Sequence, residues 1–471
     1  MSVVIPAAGE AETMPELLRR VRAVLEPRAK EAEIVVVIPS PEDPTGRAAE
    51  SGGARVLVQK RPGYGGALKE GLLAARGNYV ITMDADLSHP PETIADLLLH
   101  RDDAEVVIAS RYVEGGSAVI PPVRGVLSRI LNFVYRWALA VPVLDMSSGF
   151  RIYQRRVLNE LETEGETYDI LEEILVKIYS LGWAVAEIPF GYRPRAAGES
   201  HASVVGFTPH FLVTLFRLWR MRKLSAAADF DSRAFDSVLP PQRFWQRRRF
   251  RIINEFAVDR APRLDVGCGS SRLIQWNPAS IGLDLAIGKL RFLRATNPLL
   301  VRGTAFRLPF ADGAFRCVVI SKVIELLPPD PGLFLELNRV LEPGGVLVVA
   351  TPDYARVQWR AAEGLYRWLL PAAYGDRVVT RFTRHTLTEA LAGAGFAILE
   401  HRYIFGSELI MKCAKREERQ LSEEPGARLP AAPAPQRGDG GGASRGRSTA
   451  RKPGGGSSRP RRSRRRPSGA K

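Results

Sequence analysis

Two carboxylates one residue apart, Asp84 and Asp86, follow an apolar strand-like run in Met83-Asp84-Ala85-Asp86-Leu87-Ser88-His89-Pro90. Residues two apart in extended chain point the same way. The pair can therefore hold one hard divalent cation, Mg or Mn, which neutralises a diphosphate. Glycosyl transfer from a nucleotide sugar needs that, because the leaving nucleoside diphosphate gains charge as the sugar–oxygen bond breaks. Taken alone, Asp-x-Asp is as often a solvated turn. A second chemical centre is Leu264-Asp265-Val266-Gly267-Cys268-Gly269-Ser270-Ser271. Here a strand runs into a glycine turn whose missing side chains let a ligand approach the backbone. Asp284 ends the next strand-like run, Ile281-Gly282-Leu283-Asp284, where a carboxylate can accept both hydroxyls of a ribose. The short Gly-x-Gly-Ser leans away from the longer dinucleotide-binding spacing.

The elements that must hold these residues are legible from periodicity. Residues 2–6, 33–38, 79–83 and 104–110 read as strands, and 12–25 and 66–75 as helices. A second series of strands falls at 263–266, 280–283, 317–320 and 346–350. Strand–helix alternation predicts α/β sheets of parallel strands with ligands at the strand ends. Two such domains are expected, at 1–223 and 246–415, joined by a Pro- and Ala-bearing linker at 224–245. The chain then ends in a tail, 416–471, too poor in large apolar residues to offset chain entropy and so expected to be disordered.

Charge sharpens this division. The net charge is +16, but residues 412–471 hold 17 Lys/Arg against 5 Asp/Glu, a net +12. The folded part is only mildly basic, which argues against a nucleic-acid-binding body. The Arg-rich end at 459–466 lacks aromatic interleaving, so any nucleic-acid contact through it is weak. Three cysteines, Cys268, Cys317 and Cys413, make no disulfide or metal pattern and suit a reducing cytosol. No signal peptide and no apolar run of spanning length stands out. Residues 204–223 read as a basic amphipathic helix with two open readings: packing on its own domain, or lying on the inner face of the cell membrane.

Four segments in order carry a resemblance to dolichyl-phosphate mannose synthase-like family 2 glycosyltransferases over residues 2–223. They are Ser2–Pro6 with Glu10; Arg61-Pro62-Gly63-Tyr64-Gly65-Gly66-Ala67-Leu68; Asp84–Pro91; and Ser110-Arg111-Tyr112 followed by Asp145-Met146-Ser147-Ser148-Gly149-Phe150-Arg151. The resemblance implies a GT-A fold with Pro6 and Glu10 near the nucleotide, Asp84 and Asp86 on the metal and donor phosphates, and Arg111, Arg124 and Arg151 facing phosphates. It also implies a nucleotide-sugar donor and a polyprenyl-phosphate or glycan acceptor. With a phosphate acceptor no strong base is needed, and His89 is the one histidine in a plausible base position. The chain departs from the family where Ile38-Pro39-Ser40-Pro41 replaces the usual Asp-Asp-Gly-Ser. A catalytically silent docking domain is therefore the alternative reading.

Residues 246–415 resemble class I S-adenosylmethionine (SAM)-dependent methyltransferases. The resemblance rests on the Gly267–Gly269 turn, Asp284, Asp312-Gly313-Ala314-Phe315 and Arg339-Val340-Leu341-Glu342-Pro343-Gly344-Gly345. It implies a Rossmann-like sandwich in which Asp265, Gly267 and Gly269 line the methionine end of SAM and Asp284 binds its ribose. Thr304 and Arg316 stand where relatives often carry acidic residues. Lys322, Glu325 and His385 are candidate bases on position alone. The whole reads as a bifunctional transferase that joins sugar transfer to methylation of a glycan, lipid or related small molecule.

Overall fold

The computed structural model describes residues 1–416 apart from 120–121, 166, 195–203, 258–259 and 370–377; no side chains are described at 122–124, 127, 204–211 and 366–369. The expected tail at 416–471 thus falls almost wholly outside the described residues, and the side chain of Arg124 does too.

Two seven-stranded sheets dominate. The first runs, edge to edge, Arg55–Val58, Glu33–Ile38, Ser2–Pro6, Tyr79–Thr82, Arg151–Gln154, Val106–Ser110 and Val185–Pro189. Its central strands are β-branched along their length and buried on both faces, as parallel strands covered by helices require. The helix Met14–Leu25 shows how one layer is laid down. Met14, Leu17, Leu18, Val21 and Leu25 recur at three- and four-residue steps and are all buried against one sheet face. A second apolar layer, including Leu68, Tyr135, Ile174 and Leu175, fills the other face.

The second sheet runs Leu300–Arg302, Ile281–Asp284, Arg263–Val266, Phe315–Ser321, Leu341–Pro352, Glu408–Lys415 and Phe396–Ile404. It too is sandwiched between two apolar layers.

Both sheets are mixed rather than parallel throughout. Arg151–Gln154 runs antiparallel to both neighbours. Glu408–Lys415 is antiparallel because only Phe405, Gly406 and Ser407 separate it from its partner strand. So short a turn cannot make a parallel crossover, and Phe405 and Gly406 adopt positive φ to close it.

The stretch 224–245, expected as a linker, carries helical structure. It holds the helix Phe230–Phe235 and the start of Pro240–Phe256. Ile252, Ile253 and Phe256 of the latter sit in the second domain's core. Two basic side chains near the end of helix Val204–Arg222 are tied into the domain, while Arg220 is exposed. Arg222 is buried in an ion pair with Asp229 (2.6 Å), and Arg217 reaches Glu164 and Glu173. That end therefore ties the domain together.

Candidate active sites

In each sheet the strand order reverses beside the first strand of its domain. The crevice beyond the strand ends at that reversal is where α/β sheets bind ligands. In the first domain it lies between the loops after Ser2–Pro6 and after Tyr79–Thr82. Pro6 is buried at the strand end. Glu10 follows on the loop, where its N–H donates to Thr45 Oγ1 (2.8 Å) and its side chain accepts from Thr13. Thr13 Oγ1 also donates to Ala85 O (3.0 Å), which joins the two loops.

Asp84 and Asp86 are brought together but are not equivalent. Asp86 is 3% exposed, and its Oδ1 accepts from the N–H (3.0 Å) and hydroxyl (2.5 Å) of Ser88. The Asp84 side chain is 34% exposed and is the open carboxylate. Tyr64, stacked on Tyr168 at 4.4 Å, donates to Asp84 Oδ1 (3.3 Å). His89 is buried, stacked on Phe150, and its Nδ1 accepts from Asp84 N–H (3.0 Å). Burial disfavours its protonated form and outweighs the pull of Asp84 and Asp86. The neutral ring is thus favoured, and its Nδ1 is occupied in holding the Asp84 turn.

The two arginines separate likewise. Arg111, with its side chain 13% exposed, is clamped in two bonds by fully buried Asp145 (2.8 and 2.7 Å) and also donates to Ser147 (2.8 Å). Arg151, expected to face phosphate, is wholly buried. Its guanidinium donates to the carbonyls of Met146 (2.8 Å) and Leu171 (2.9 Å). It lies on a central antiparallel strand, covered from both faces, so it shapes the loop carrying Asp145 and Ser147. Asp145, Tyr64 and the buried Glu172 were not singled out from sequence. Asp145 lay inside a quoted segment, but only its contact with Arg111 reveals its use. Burial pushes the Glu172 carboxyl up to about 8. Where the family's second acidic pair is missing, Asp43 accepts from Gly9 N–H (3.1 Å) and Thr45 N–H (2.9 Å). The chain therefore sets an acid against the Glu10 loop a few residues late.

Among the described residues no group of three or more His, Cys, Asp or Glu could hold a metal ion. Two carboxylates with one open face do fit a hard cation whose remaining ligands come from a diphosphate.

In the second domain, Gly267 and Gly269 both have positive φ (69° and 57°). A Cβ on Gly267 would come within 2.3 Å of Val323, so the turn and the Lys322–Glu325 segment meet across the reversal. Asp284 accepts from the N–H groups of Gly269 and Ala286 (2.8 Å each). Asp265 is 4% exposed, and its Oδ2 has no protein partner. Burial pushes its carboxyl up to about 7, Arg263 opposing and Asp284 and Asp231 reinforcing the shift. An orphaned buried oxygen beside a glycine turn suits a cationic ligand with N–H donors. Lys322 pairs with buried Glu325 at 2.8 Å. His385 is exposed and pairs with Glu389 on the surface. Thr304 and Arg316 are also exposed.

The glycosyl transferase family 2 model matches residues 2–162. The dolichol-phosphate mannosyltransferase of Pyrococcus furiosus is 35% identical over 279 residues, covering 56% of this chain and 77% of that relative. The chain belongs to glycosyltransferase family 2. A glycosyltransferase of Mycobacterium tuberculosis without a described activity is 28% identical over 221 residues, 47% of this chain and 97% of that relative. Behind the family 2 domain, a methyltransferase domain model matches residues 264–349, so this family 2 member carries a methyltransferase domain as well. Among solved structures, glucosyl-3-phosphoglycerate synthase of M. tuberculosis with Mn2+, UDP and glucosyl-3-phosphoglycerate is 22% identical, covers 46% of this chain and 78% of its own, and gives a TM-score of 0.38. A SAM-dependent methyltransferase of Thermotoga maritima is 18% identical, with coverages of 39% and 98% and a TM-score of 0.31.

Proposed function

We propose that this protein transfers a sugar from a nucleotide donor to a polyprenyl-phosphate or glycan acceptor and methylates a related glycan, lipid or small molecule with SAM. The convergence of Asp84, Asp86, Tyr64, Glu10 and Asp145-held Arg111 at one strand-end crevice carries the first half. Asp84 is the carboxylate open to a divalent cation and the donor diphosphate, and Asp86 supports it from below. A bound cation would neutralise charge on the leaving diphosphate. Arg111 supplies a fixed positive charge to the phosphate side. A phosphate acceptor brings its own nucleophilic oxygen, which suits a crevice whose histidine is neutral and occupied. The Pyrococcus relative, whose name states transfer of mannose to dolichol phosphate, favours a polyprenyl phosphate over a free glycan.

In the second half, Gly267 and Gly269 leave room for SAM, Asp265 offers an unmet acceptor and Asp284 faces the ribose. SAM supplies an activated methyl on a sulfonium, and the protein's task is alignment. Lys322 and Glu325, paired at 2.8 Å on the segment that meets the turn through Val323, remain candidates for the acceptor side.

No helix among the described residues is long and apolar enough to cross a membrane. Exposed Leu212, Val213 and Phe216 on Val204–Arg222 and exposed Val126, Ile130, Phe133 and Trp137 on Pro122–Leu139 support a peripheral position on the inner, cytoplasmic face of the cell membrane. The apolar side chains, with exposed Arg220, would make that contact.

The test is turnover of a nucleotide-sugar panel by the full chain with Mn2+ or Mg2+ and with short polyprenyl phosphates. Metal-dependent transfer from one donor to the lipid phosphate is expected. A folded chain that neither binds nor turns over any donor establishes the silent docking domain that Ile38-Pro39-Ser40-Pro41 suggests.

A further inference from the structure

Asp231 belongs to neither set of residues considered so far. It lies on the short helix Phe230–Phe235 in the connecting segment, yet its carboxylate is seated on the glycine turn of the methyltransferase. Oδ2 accepts from Ser270 N–H (3.1 Å), from Ser270 Oγ (3.3 Å) and from Lys289 Nζ (2.8 Å). A Cβ on Gly269 would come within 2.4 Å of that oxygen. The seat is not sealed: the Asp231 side chain is 36% exposed.

Three carboxylates thus surround one turn, and the third, Asp265, presents a buried oxygen with no partner. Acidic groups alone name no ligand, but the buried Asp265 oxygen has no partner within the protein and is open to a donor from a ligand. The ligand must also tolerate a lysine ammonium beside the carboxylates. An α-amino acid end meets both conditions, since its ammonium answers the carboxylates and its carboxylate answers Lys289 and the turn N–H groups.

We propose that Asp231, delivered by the segment between the domains, is a cofactor-binding residue that, together with Lys289, grips the amino-acid end of SAM on the Gly267–Gly269 turn. This rests on the SAM reading above. It also makes cofactor binding depend on the glycosyltransferase half. Two residues before Asp231, Asp229 is locked to Arg222 (2.7 and 2.6 Å), and Ala228 N–H donates to Ser180 O (2.8 Å). Two residues after Lys289, Arg291 is paired in two bonds with Glu160 (2.6 and 2.7 Å) and lies 3.6 Å over the ring of Trp183. Both arms of the grip are therefore braced on the first domain.

The experiment is titration calorimetry of the full chain with SAM, with S-adenosylhomocysteine, and with methylthioadenosine, which lacks the amino-acid end. Asp231→Asn should weaken SAM and S-adenosylhomocysteine about tenfold, the scale of one charged hydrogen bond, and leave methylthioadenosine unchanged. Lys289→Met should show the same pattern, and it serves where Asp231→Asn does not fold. Unchanged SAM affinity overturns the proposal. Tighter SAM affinity overturns it as well, because Asp231 would then be a plug that the cofactor displaces. Equal weakening of methylthioadenosine does so by showing collapse of the turn. A wild-type chain that binds none of the three overturns the SAM reading itself, a result distinct from the others.

Discussion

At the scale of single residues, exposure separates carboxylates that look alike in sequence. Asp84 is open and Asp86 buried, yet both are needed for the same turn. Asp84→Asn and Asp86→Ala should each lower sugar transfer by about 100-fold or more, with SAM affinity by calorimetry unchanged. Glu172 gives a pH signature. Its folded-state carboxyl titrates near 8, raised by burial, whereas the unfolded carboxyl titrates near 4.3. Between these values the unfolded chain sheds the proton and the folded chain keeps it. Stability therefore falls as pH rises through that window and levels off above it. Thermal melts of Glu172→Gln should lose part of the fall in Tm between pH 5 and pH 8. Asp265, near 7 in the free protein, should ionise to meet cationic SAM. SAM affinity should rise with pH through about 7, and Asp265→Asn should flatten that rise.

At the scale of elements, turns and helix ends do the positioning. Gly267 has positive φ and faces Val323 at 2.3 Å. Gly267→Val should abolish SAM binding while sugar transfer by the same protein persists. Gly66 opens the helix Gly63–Ala74 so closely on Arg61 that a Cβ would lie 2.3 Å from its carbonyl oxygen, which accounts for a glycine in that motif. The Arg-Val-Leu-x-Pro-Gly-Gly segment has a structural reading as well. Arg339 donates to the carbonyls of Leu308 and Phe310 and pairs with Asp312 and Glu336. It staples the 308–312 loop to the helix Pro331–Val340.

At the scale of the molecule, the two domains share a braced seam. Arg222 and Asp229 are both buried at its root, and Arg222→Ala leaves the buried carboxylate with Arg233 as its remaining ion-pair partner. It should cost about 3 kcal/mol, read as a lower Tm, and should weaken SAM binding as the connecting segment loosens. A cut after residue 245 severs the helix Pro240–Phe256, whose Trp245 and Phe250 pack against the second core. The resulting 246–416 fragment should melt well below the full chain in differential scanning calorimetry.

Much of this was legible in the residues themselves. Alternating apolar runs and helical spacing are local properties, so the two α/β domains, the Asp84–Asp86 turn and the Gly267–Gly269 turn can be read without a fold. Burial and cross-chain pairing are not local. Arg111 and Arg151 are the same residue type in equally suggestive motifs. Only the antiparallel placement of Arg151–Gln154 between two strands decides that Arg151 is enclosed, while Arg111 keeps partial exposure. Asp231 carried no signal at all, since nothing in its neighbours predicts a glycine turn 39 residues away. Short-range pattern determined which elements form and which turns hold chemistry. The tertiary structure decided which charged groups meet there, because a charge is defined by what surrounds it, and those surroundings come from distant parts of the chain.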